Sequence, residues 1–335
     1  MASLSERLEE SWKFADEKIG GLNTIQKIGV IFDSAWEKFV HGANKVDYFQ
    51  YGFYYKNRHG RDEFITIGKC CRVLAACNPV DKWSLLADKA QFIKLYKDFL
   101  GRDAMDMATV TKNEFDAFVS KHDKMFIKPA GGTYGRGVSI EPCGDNVDND
   151  ALYERLKGES IVAEEVITQH PELEKFNASS LNSLRVVTLL CADGVVRILP
   201  GATIRLGREG RIADNFHHNG ITAQIDIKTG VTCSMAIDKA GNRYVSHPDS
   251  DINVVGFKVP MWDEVCETVK AAALVCPDLR YIGWDVAVTA DNRVVIVEGN
   301  ERADPDVGQM SDGIGKWPVY KPYIEEIEKL NAQKK

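Results

Sequence analysis

Residues 281–300 read YIGWDVAVTADNRVVIVEGN, two runs rich in Val and Ile around the polar stretch Ala290-Asp291-Asn292-Arg293. Apolar β-branched runs on either side of a turn signal predict a hairpin. The start of the chain has a different period. Leu8, Trp12, Ala15 and Ile19 recur at helical spacing, Gly20-Gly21 closes that segment, and a second helix is predicted over residues 25–42. VDYFQYGFYYKNRHGRDEFIT follows, dense in Tyr and Phe at mixed spacing. Such rings could stack on a sugar or a base, but a hydrophobic plug between helices is the reading adopted here. One long helix is then predicted over 82–100, with Trp83, Leu86, Phe92, Leu95, Tyr96 and Phe99 as its apolar stripe.

From about residue 105 strands and helices alternate. Thr111 followed by Glu114 makes a capping box for the helix TKNEFDAFVSKH. MFIKP reads as a short strand stopped by Pro129, and IVAEEVI as the next. SLRVVTLLC and VVRILPGATIRL form a hairpin around Asp193-Gly194, and ITAQIDI pairs with VTCSMAI around Lys228-Thr229-Gly230. VPMWDEVCETVKAAALVCPDL is an amphipathic helix ending at Pro277, and YIEEIEKLNAQKK a terminal one. The division expected is a helical region over 1–104, then an α+β domain over 105–335 made of a glycine-loop subdomain (105–166) and a subdomain carrying the hairpin (167–335).

Composition narrows the class. With 44% hydrophobic and 27% charged residues the chain has the make-up of a globular protein, and no apolar run is long enough to span a membrane. MASLSERLEESWKFADEK is charged and helical in period, unlike a secretory signal. A net charge of −7 argues against nucleic acid as the main partner. The eight cysteines form no CxxC pair and several sit in apolar runs, so they read as reduced, buried thiols in the cytoplasm, with no disulfide framework and no zinc site.

Candidate chemistry begins in the last hairpin. If Asp291-Asn292 is a two-residue loop, the residue numbers of every cross-strand pair sum to 583, and Asp285 lies opposite Glu298. Side chains alternate along a strand, so Glu298 and Asn300 share a face. Two carboxylates and an amide oxygen aimed at one point suit a hard cation such as Mg²⁺; the bland alternative is a solvated acidic face or carboxylates paired with Arg. Upstream, FIKPAGGTYGRGV places glycines at 131, 132, 135 and 137. A run of bare N–H groups makes an anion nest, and Lys128 at the strand end adds a positive charge. The loop has neither the Walker ending nor GxGxxG spacing, and a plain glycine-rich hairpin would read alike.

In combination these elements resemble the ATP-grasp fold: a strand ending Ile-Lys-Pro, a glycine loop, a Glu-Glu-Val strand, then Asp and Glu-x-Asn on a terminal hairpin. The Asp-to-Glu-x-Asn spacing is similar to that of the D-alanine–D-alanine ligases. VDYFQYGFYY, ADKAQF, FIKPAGGTYGRGV, EEVITQHPEL, NSLRVVTL, DNFHHNGITAQID and EGNERADPD together resemble the sugar-transfer-associated ATP-grasp family, from about residue 40 to 310.

That resemblance implies two α+β subdomains sandwiching ATP, preceded here by the helical region. It assigns Lys89 and Lys128 to the phosphates, with Lys128 also near the adenine, and closes the loop Gly131, Gly132, Thr133, Tyr134, Gly135, Arg136 and Gly137 over them. The backbone of Glu164, Glu165 and Val166 would read the adenine edge, and Glu172 or its rival His170 the ribose hydroxyls. Asp285, Glu298 and Asn300 would hold two Mg²⁺ ions. Arg185 and Arg205 lie on central strands, where a buried Arg needs either a structural carboxylate or the transferring phosphoryl group; the latter is favoured for at least one. Asp214, Asn215, His217 and His218 occupy a polar loop that could bind the acceptor substrate or act as a base, although a histidine pair on a loop is more often ordinary surface. The activity implied is an ADP-forming carboxylate–amine ligase joining an amino acid to a uronic acid of a surface polysaccharide or its precursor. The alternatives are a kinase acting on a sugar hydroxyl and a regulatory protein that binds nucleotide without turnover.

Overall fold

The computed structural model describes residues 4–131, 137–208, 210 and 220–333. They fall into two compact units, Met1–Cys77 with Asp304–Lys335, and Asn78–Ala303. This division differs from the one drawn along the chain at residue 104. Residues 78–104 belong with the sheets, and the terminal segment returns to the N-terminal helices, a closure that no local pattern reveals.

In the first unit the expected helices form at Leu4–Lys18 and Thr24–Val40. The second is started by a capping box: Asn23 Oδ1 accepts from Gln26 N, and Gln26 Oε1 accepts from Asn23 N, each at 3.0 Å. The aromatic stretch is a plug. Tyr48, Phe49, Tyr51 and Phe53 are buried in one core with Phe64, and the Tyr51 and Phe64 rings stack at 4.8 Å. The C-terminal segment joins this unit by hydrogen bonds. Gln309 Oε1 accepts from Ile65 N at 2.7 Å, and Arg72 Nε donates to Glu328 at 2.7 Å from the helix Trp317–Gln333.

The second unit contains two antiparallel sheets. The smaller comprises β1 (Ala104–Asp106), β2 (Lys124–Pro129), β3 (Ser139–Pro142) and β4 (Ile161–Glu165) in the order β1-β4-β2-β3. Helices Lys112–Val119 and Asn149–Leu156 bury Phe115, Phe118, Leu152 and Leu156 against Met125 and Ile127 of this sheet. The first of these helices has the expected Thr111/Glu114 box. The larger sheet comprises β5 (Ser183–Leu190), β6 (Val196–Ile198), β7 (Thr203–Leu206), β8 (Ile221–Asp226), β9 (Val231–Thr232), β10 (Ala236–Ile237), β11 (Arg243–Tyr244), β12 (Tyr281–Val288) and β13 (Val294–Asn300). Its path is β11-β10-β8-β7-β5-β12-β13, with β6 on β5 and β9 on β8. Val265 and Val269 of helix Trp262–Ala272 share its core with Val186, Trp284 and Val286.

Two elements differ from expectation. The helix expected over 82–100 breaks at Asp88, whose extended backbone and side chain cap a new helix, Lys89–Leu95, by accepting from Ala90 N at 2.9 Å. A capping carboxylate competes with helix continuation, and here it wins. The segment VVRILPGATIRL splits into β6 and β7 at Pro200-Gly201, where Gly201 adopts a φ of 112°. The split lets β6 pair with one end of β5 and β7 with the other.

Asn78 ties the open end of the β12–β13 hairpin. Its Nδ2 donates to Tyr281 O and Glu301 O, both at 2.6 Å, and its Oδ1 accepts from Tyr281 N at 3.0 Å. Asn78→Ala strands these buried groups and is expected to lower unfolding free energy by about 2–3 kcal/mol in denaturant titrations. A loss below about 0.5 kcal/mol would mean that solvent or neighbouring groups replace the bonds.

Candidate functional site

The hairpin reaches its expected pairing by an unexpected route. Val288–Val294, Ala287–Val295 and Val286–Ile296 are partners, and their numbers sum to 582 rather than 583. The loop therefore has three residues, Ala290 to Asn292, with Thr289 N donating to Arg293 O and Asn292 left-handed at φ 59°. In that register Asp285 would face Val297. A β-bulge at Val297 adds one residue to β13, and from there the pairs sum to 583: Asp285–Glu298, Trp284–Gly299 and Gly283–Asn300. The expected two-residue loop is thus corrected, while the carboxylate pair it implied is present. Bulges commonly re-aim a side chain beside a functional site.

Opposed residues share a face, and so do residues two apart on a strand. Arg205 on β7 faces Ser183 on β5, Arg185 on β5 faces Asp285 on β12, and Asp285 faces Glu298 on β13. The result is a polar row across four adjacent strands. Arg185 Nε and Nη2 bind the two oxygens of Asp285 at 2.5 and 3.1 Å, and Arg205 Nη1 adds a third bond at 3.0 Å. Both arginines therefore sit on a carboxylate, and Arg185 also feels the Glu298 charge. Burial alone would raise the Asp285 pKa, but Arg185 and then Arg205 hold it well below the usual carboxylate range. Glu298 goes the other way: burial and the opposing Asp285 charge push it up. Asn300 Nδ2 donates to Gly283 O at 3.2 Å, which leaves its Oδ1 as an acceptor on the residue two along β13 from Glu298.

Two lysines face this row. Lys128, on β2, binds Glu164 Oε2 of β4 at 2.7 Å and feels the Glu298 charge. Lys89 opens the helix that Asp88 caps, and its N–H donates to Ala130 O at 3.0 Å. Burial lowers the Lys89 pKa; Glu298 opposes that effect and Lys128 adds to it. Lys89, Lys128, Glu164 and Glu298 thus share one electrostatic neighbourhood.

Sequence reasoning missed Arg102. Its buried guanidinium donates to Glu164 Oε1 and Oε2 at 2.9 and 3.2 Å, to Ile296 O at 2.5 Å and to Val297 O at 3.0 Å. These carbonyls belong to the bulge, where the strand ladder is interrupted. Arg102 therefore satisfies the bulge and fixes Glu164 together. Arg102 and Lys128 outweigh the burial of Glu164 and hold its pKa down at about 2. The only signal in the sequence was Gly101-Arg102 between apolar segments. Gly101 has φ 66°, and a Cβ there would meet Val294 O at 2.3 Å.

The remaining candidates are scattered around this centre. Glu165 points away from Glu164: its carboxylate takes Arg293 Nη2 at 2.8 Å and its backbone N–H donates to Asp103 O at 2.9 Å. Val166 lies just past the end of β4. The His170 ring accepts from Glu172 N at 3.1 Å, capping a helical turn, while the exposed Glu172 carboxylate pairs with Lys175 at 2.6 Å. Around Gly131 a Cβ would meet nothing within 4 Å, and Gly137 is left-handed at φ 75°. Gly132, Thr133, Tyr134, Gly135 and Arg136 lie outside the described residues, as do Asp214, Asn215, His217 and His218.

The donor set at Asp285, Glu298 and Asn300 is all oxygen, with the two carboxyls directly opposed on neighbouring strands. A divalent cation fits that chemistry, since Mg²⁺ is held by one or two carboxylates and oxygen donors from its substrate.

No curated protein matches the sequence. Among solved structures the chain is similar to the ATP-grasp ligase PsnB in complex with a minimal precursor, at 15% identity and TM-score 0.45, covering 75% of this chain and 64% of that one. It is also similar to biotin carboxylase from Campylobacter jejuni (14%, TM-score 0.46, 76% and 48% covered). The third comparison is D-alanyl-alanine synthetase A from Vibrio cholerae O1 biovar eltor (10%, TM-score 0.41, 77% and 66% covered). The chain thus spans less than two thirds of the PsnB chain's length. Residues 72–323 match the model of the sugar-transfer associated ATP-grasp family, and over most of its length the chain belongs to that family.

Proposed function

We propose that this protein is an ATP-dependent, ADP-forming ligase that joins a carboxylate to an amine. The observation that carries the reading is the Asp285–Glu298 pair set among Arg185, Arg205, Lys89 and Lys128. Hard oxygen donors at Asp285 and Glu298, with the positive charges of Lys89, Lys128, Arg185 and Arg205 around them, suit a magnesium–triphosphate substrate. Asp285, Glu298 and Asn300 would hold Mg²⁺, as one ion or two. When bound, Mg²⁺ neutralises the β- and γ-phosphate oxygens of ATP. Lys89 and Lys128 would hold the phosphates under the Gly131–Gly137 loop. Arg185 and Arg205 would face the γ-phosphoryl group while keeping Asp285 ionised. Glu164 to Val166 would border the adenine, and His170 or Glu172 the ribose.

The substrate carboxylate attacks the γ-phosphorus and ADP leaves. The amine nitrogen then attacks the acyl carbon of the acyl phosphate, inorganic phosphate leaves, and the amine proton passes to solvent or to a base. No covalent enzyme nucleophile is required; positioning and charge stabilisation carry the rate. The carboxylate is read as a uronic acid of a surface polysaccharide or its precursor, and the amine as an amino acid bound near Asp214, Asn215, His217 and His218. Family membership supports the sugar side. Eight cysteines outside any disulfide suit the reducing cytoplasm, and no helix among the described residues is long and apolar enough to cross a membrane.

The direct test incubates the protein with Mg-ATP, amino acids and a panel of uronic acids, reading ADP and new masses. The expected result is ADP formed only with both substrates present and a product lighter than their sum by one water. A phosphorylated sugar formed without any amine would make the protein a kinase, and bound ATP without ADP would make it a regulatory binder. In the ligase assay Glu298→Gln and Lys128→Met are each expected to cut turnover by about 10²–10³-fold.

The clamp around Glu164 makes two further predictions. Arg102→Met leaves a buried carboxylate half-paired and two bulge carbonyls bare, so stability should fall by about 3–5 kcal/mol. An unchanged unfolding midpoint would contradict the clamp. Because the folded Glu164 pKa is depressed to about 2, its stabilisation is complete above the unfolded value near 4.5 and is lost as pH falls between them. Acid titration of stability should show a loss of about 3 kcal/mol from this group in that window. Glu164→Gln should flatten the slope there; an identical slope would remove Glu164 from the account.

A further inference from the structure

The helix Thr24–Val40 carries apolar residues on two faces. Val30 packs on the aromatic core of its own unit. Another face bears Ile25, Ile28, Phe32, Ala35 and Phe39, spaced three, four, three and four residues apart, with Gly29 and Trp36 alongside. This face is open to solvent: Ile25 is 81% exposed, Phe32 73%, Trp36 58% and Phe39 82%. A surface helix normally has one apolar stripe, turned toward its own core. A second stripe with alternating three- and four-residue spacing is the seam of a helix that pairs with another helix.

We propose that this face binds the same face of a second copy of the chain, the two helices running antiparallel about a two-fold axis at Phe32. Size comes first. With Leu8 of the adjoining helix Leu4–Lys18, the stripe exposes on the order of 700 Å² of apolar surface, against roughly 300–600 Å² for the largest patch of a typical monomer. It approaches the roughly 800 Å² that each partner contributes to a standard interface. Self-complementarity comes next. About an axis at Phe32, Ile25 meets Phe39 of the second copy, Ile28 meets Trp36, and Gly29 meets Ala35, so large residues face medium ones and small faces small. A groove of about 340 Å³ lined by Leu8, Trp12, Ile28, Ile31 and Phe32, with Glu9 at its side, lies where the Trp36 ring of the second copy arrives.

Gly29 adds an independent argument. It sits inside an exposed helix, where Gly is less favourable than Ala, yet a Cβ there would meet nothing within 4 Å. Nothing among the described residues requires the missing side chain; a closely approaching second helix would. The adjoining helix borders the face with exposed Glu6 and Glu9, a charge that an anionic bilayer repels. A second protein copy is favoured over a membrane on that ground.

Size-exclusion chromatography with light scattering on the full chain, across a concentration series, tests the proposal. The expected mass is twice the 37.4 kDa of the chain. Phe32→Glu, and separately Trp36→Glu, should return the single-chain mass while the thermal melt and circular dichroism stay that of a folded protein, since both side chains are exposed. Phe32→Cys should cross-link two copies under mild oxidation, because Phe32 faces itself across the axis; Tyr55→Cys, exposed outside the stripe, should not. A wild-type chain of single mass at every concentration overturns the proposal. So does a dimer that survives Phe32→Glu, or a monomer whose Phe32-dependent partner is a phosphatidylcholine–phosphatidylglycerol vesicle in co-sedimentation.

Discussion

Two carboxyl groups placed directly opposite each other on neighbouring strands repel, and the architecture of the sheet unit answers that repulsion at Asp285 and Glu298. Arg185 from the adjoining β5 and Arg205 from β7 beyond it neutralise Asp285, while burial and the Asp285 charge push the Glu298 pKa up. Beneath this row the same strands bury Trp284, Val286 and Ile296 in the core. Trp284 is locked there by its Nε1 donating to Thr188 Oγ1 at 2.8 Å. The alternation of a strand thus sets one charged face on a rigid apolar base, which fixes the charges without side-chain searching.

Glycine gives the row its room. At Gly283 a Cβ would come within 2.6 Å of the Ala303 Cβ and 3.4 Å of the Arg185 side chain, so any larger residue would press on the arginine that holds Asp285. At Gly299 a Cβ would crowd Leu86, Phe92 and Trp284 at 3.1–3.2 Å. Arg102, just before β1, completes the arrangement by linking Glu164 to the bulge carbonyls. Lys128, bound to the same Glu164, is thereby set relative to Glu298.

Much of this was legible in the sequence wherever one period or one motif decides the outcome. The hairpin, the Thr111 capping box and the aromatic plug follow from local pattern, and the ordered motifs carry the family. The failures have physical causes. Asp88 could continue a helix or cap a new one, and spacing alone does not separate the two. The three-residue loop and the bulge cancel in register, so the Asp285–Glu298 pair was correct although the loop was not. Arg102 belongs to no motif, because its partners lie on strands far along the chain. The return of residues 304–335 to the N-terminal unit depends on long-range bonds such as Gln309 with Ile65, which leave no periodic trace.

The central claim is that the opposed carboxyls exist to hold a cation with a triphosphate. Calorimetric titration of ATP into the protein with and without Mg²⁺, in the wild type and in Glu298→Gln, tests it most directly. The account predicts that Mg²⁺ strengthens ATP binding in the wild type and that most of this gain disappears in Glu298→Gln, while metal-free binding is kept. Equal Mg²⁺ dependence in both proteins would contradict it and leave the carboxyl pair a structural feature of the sheet.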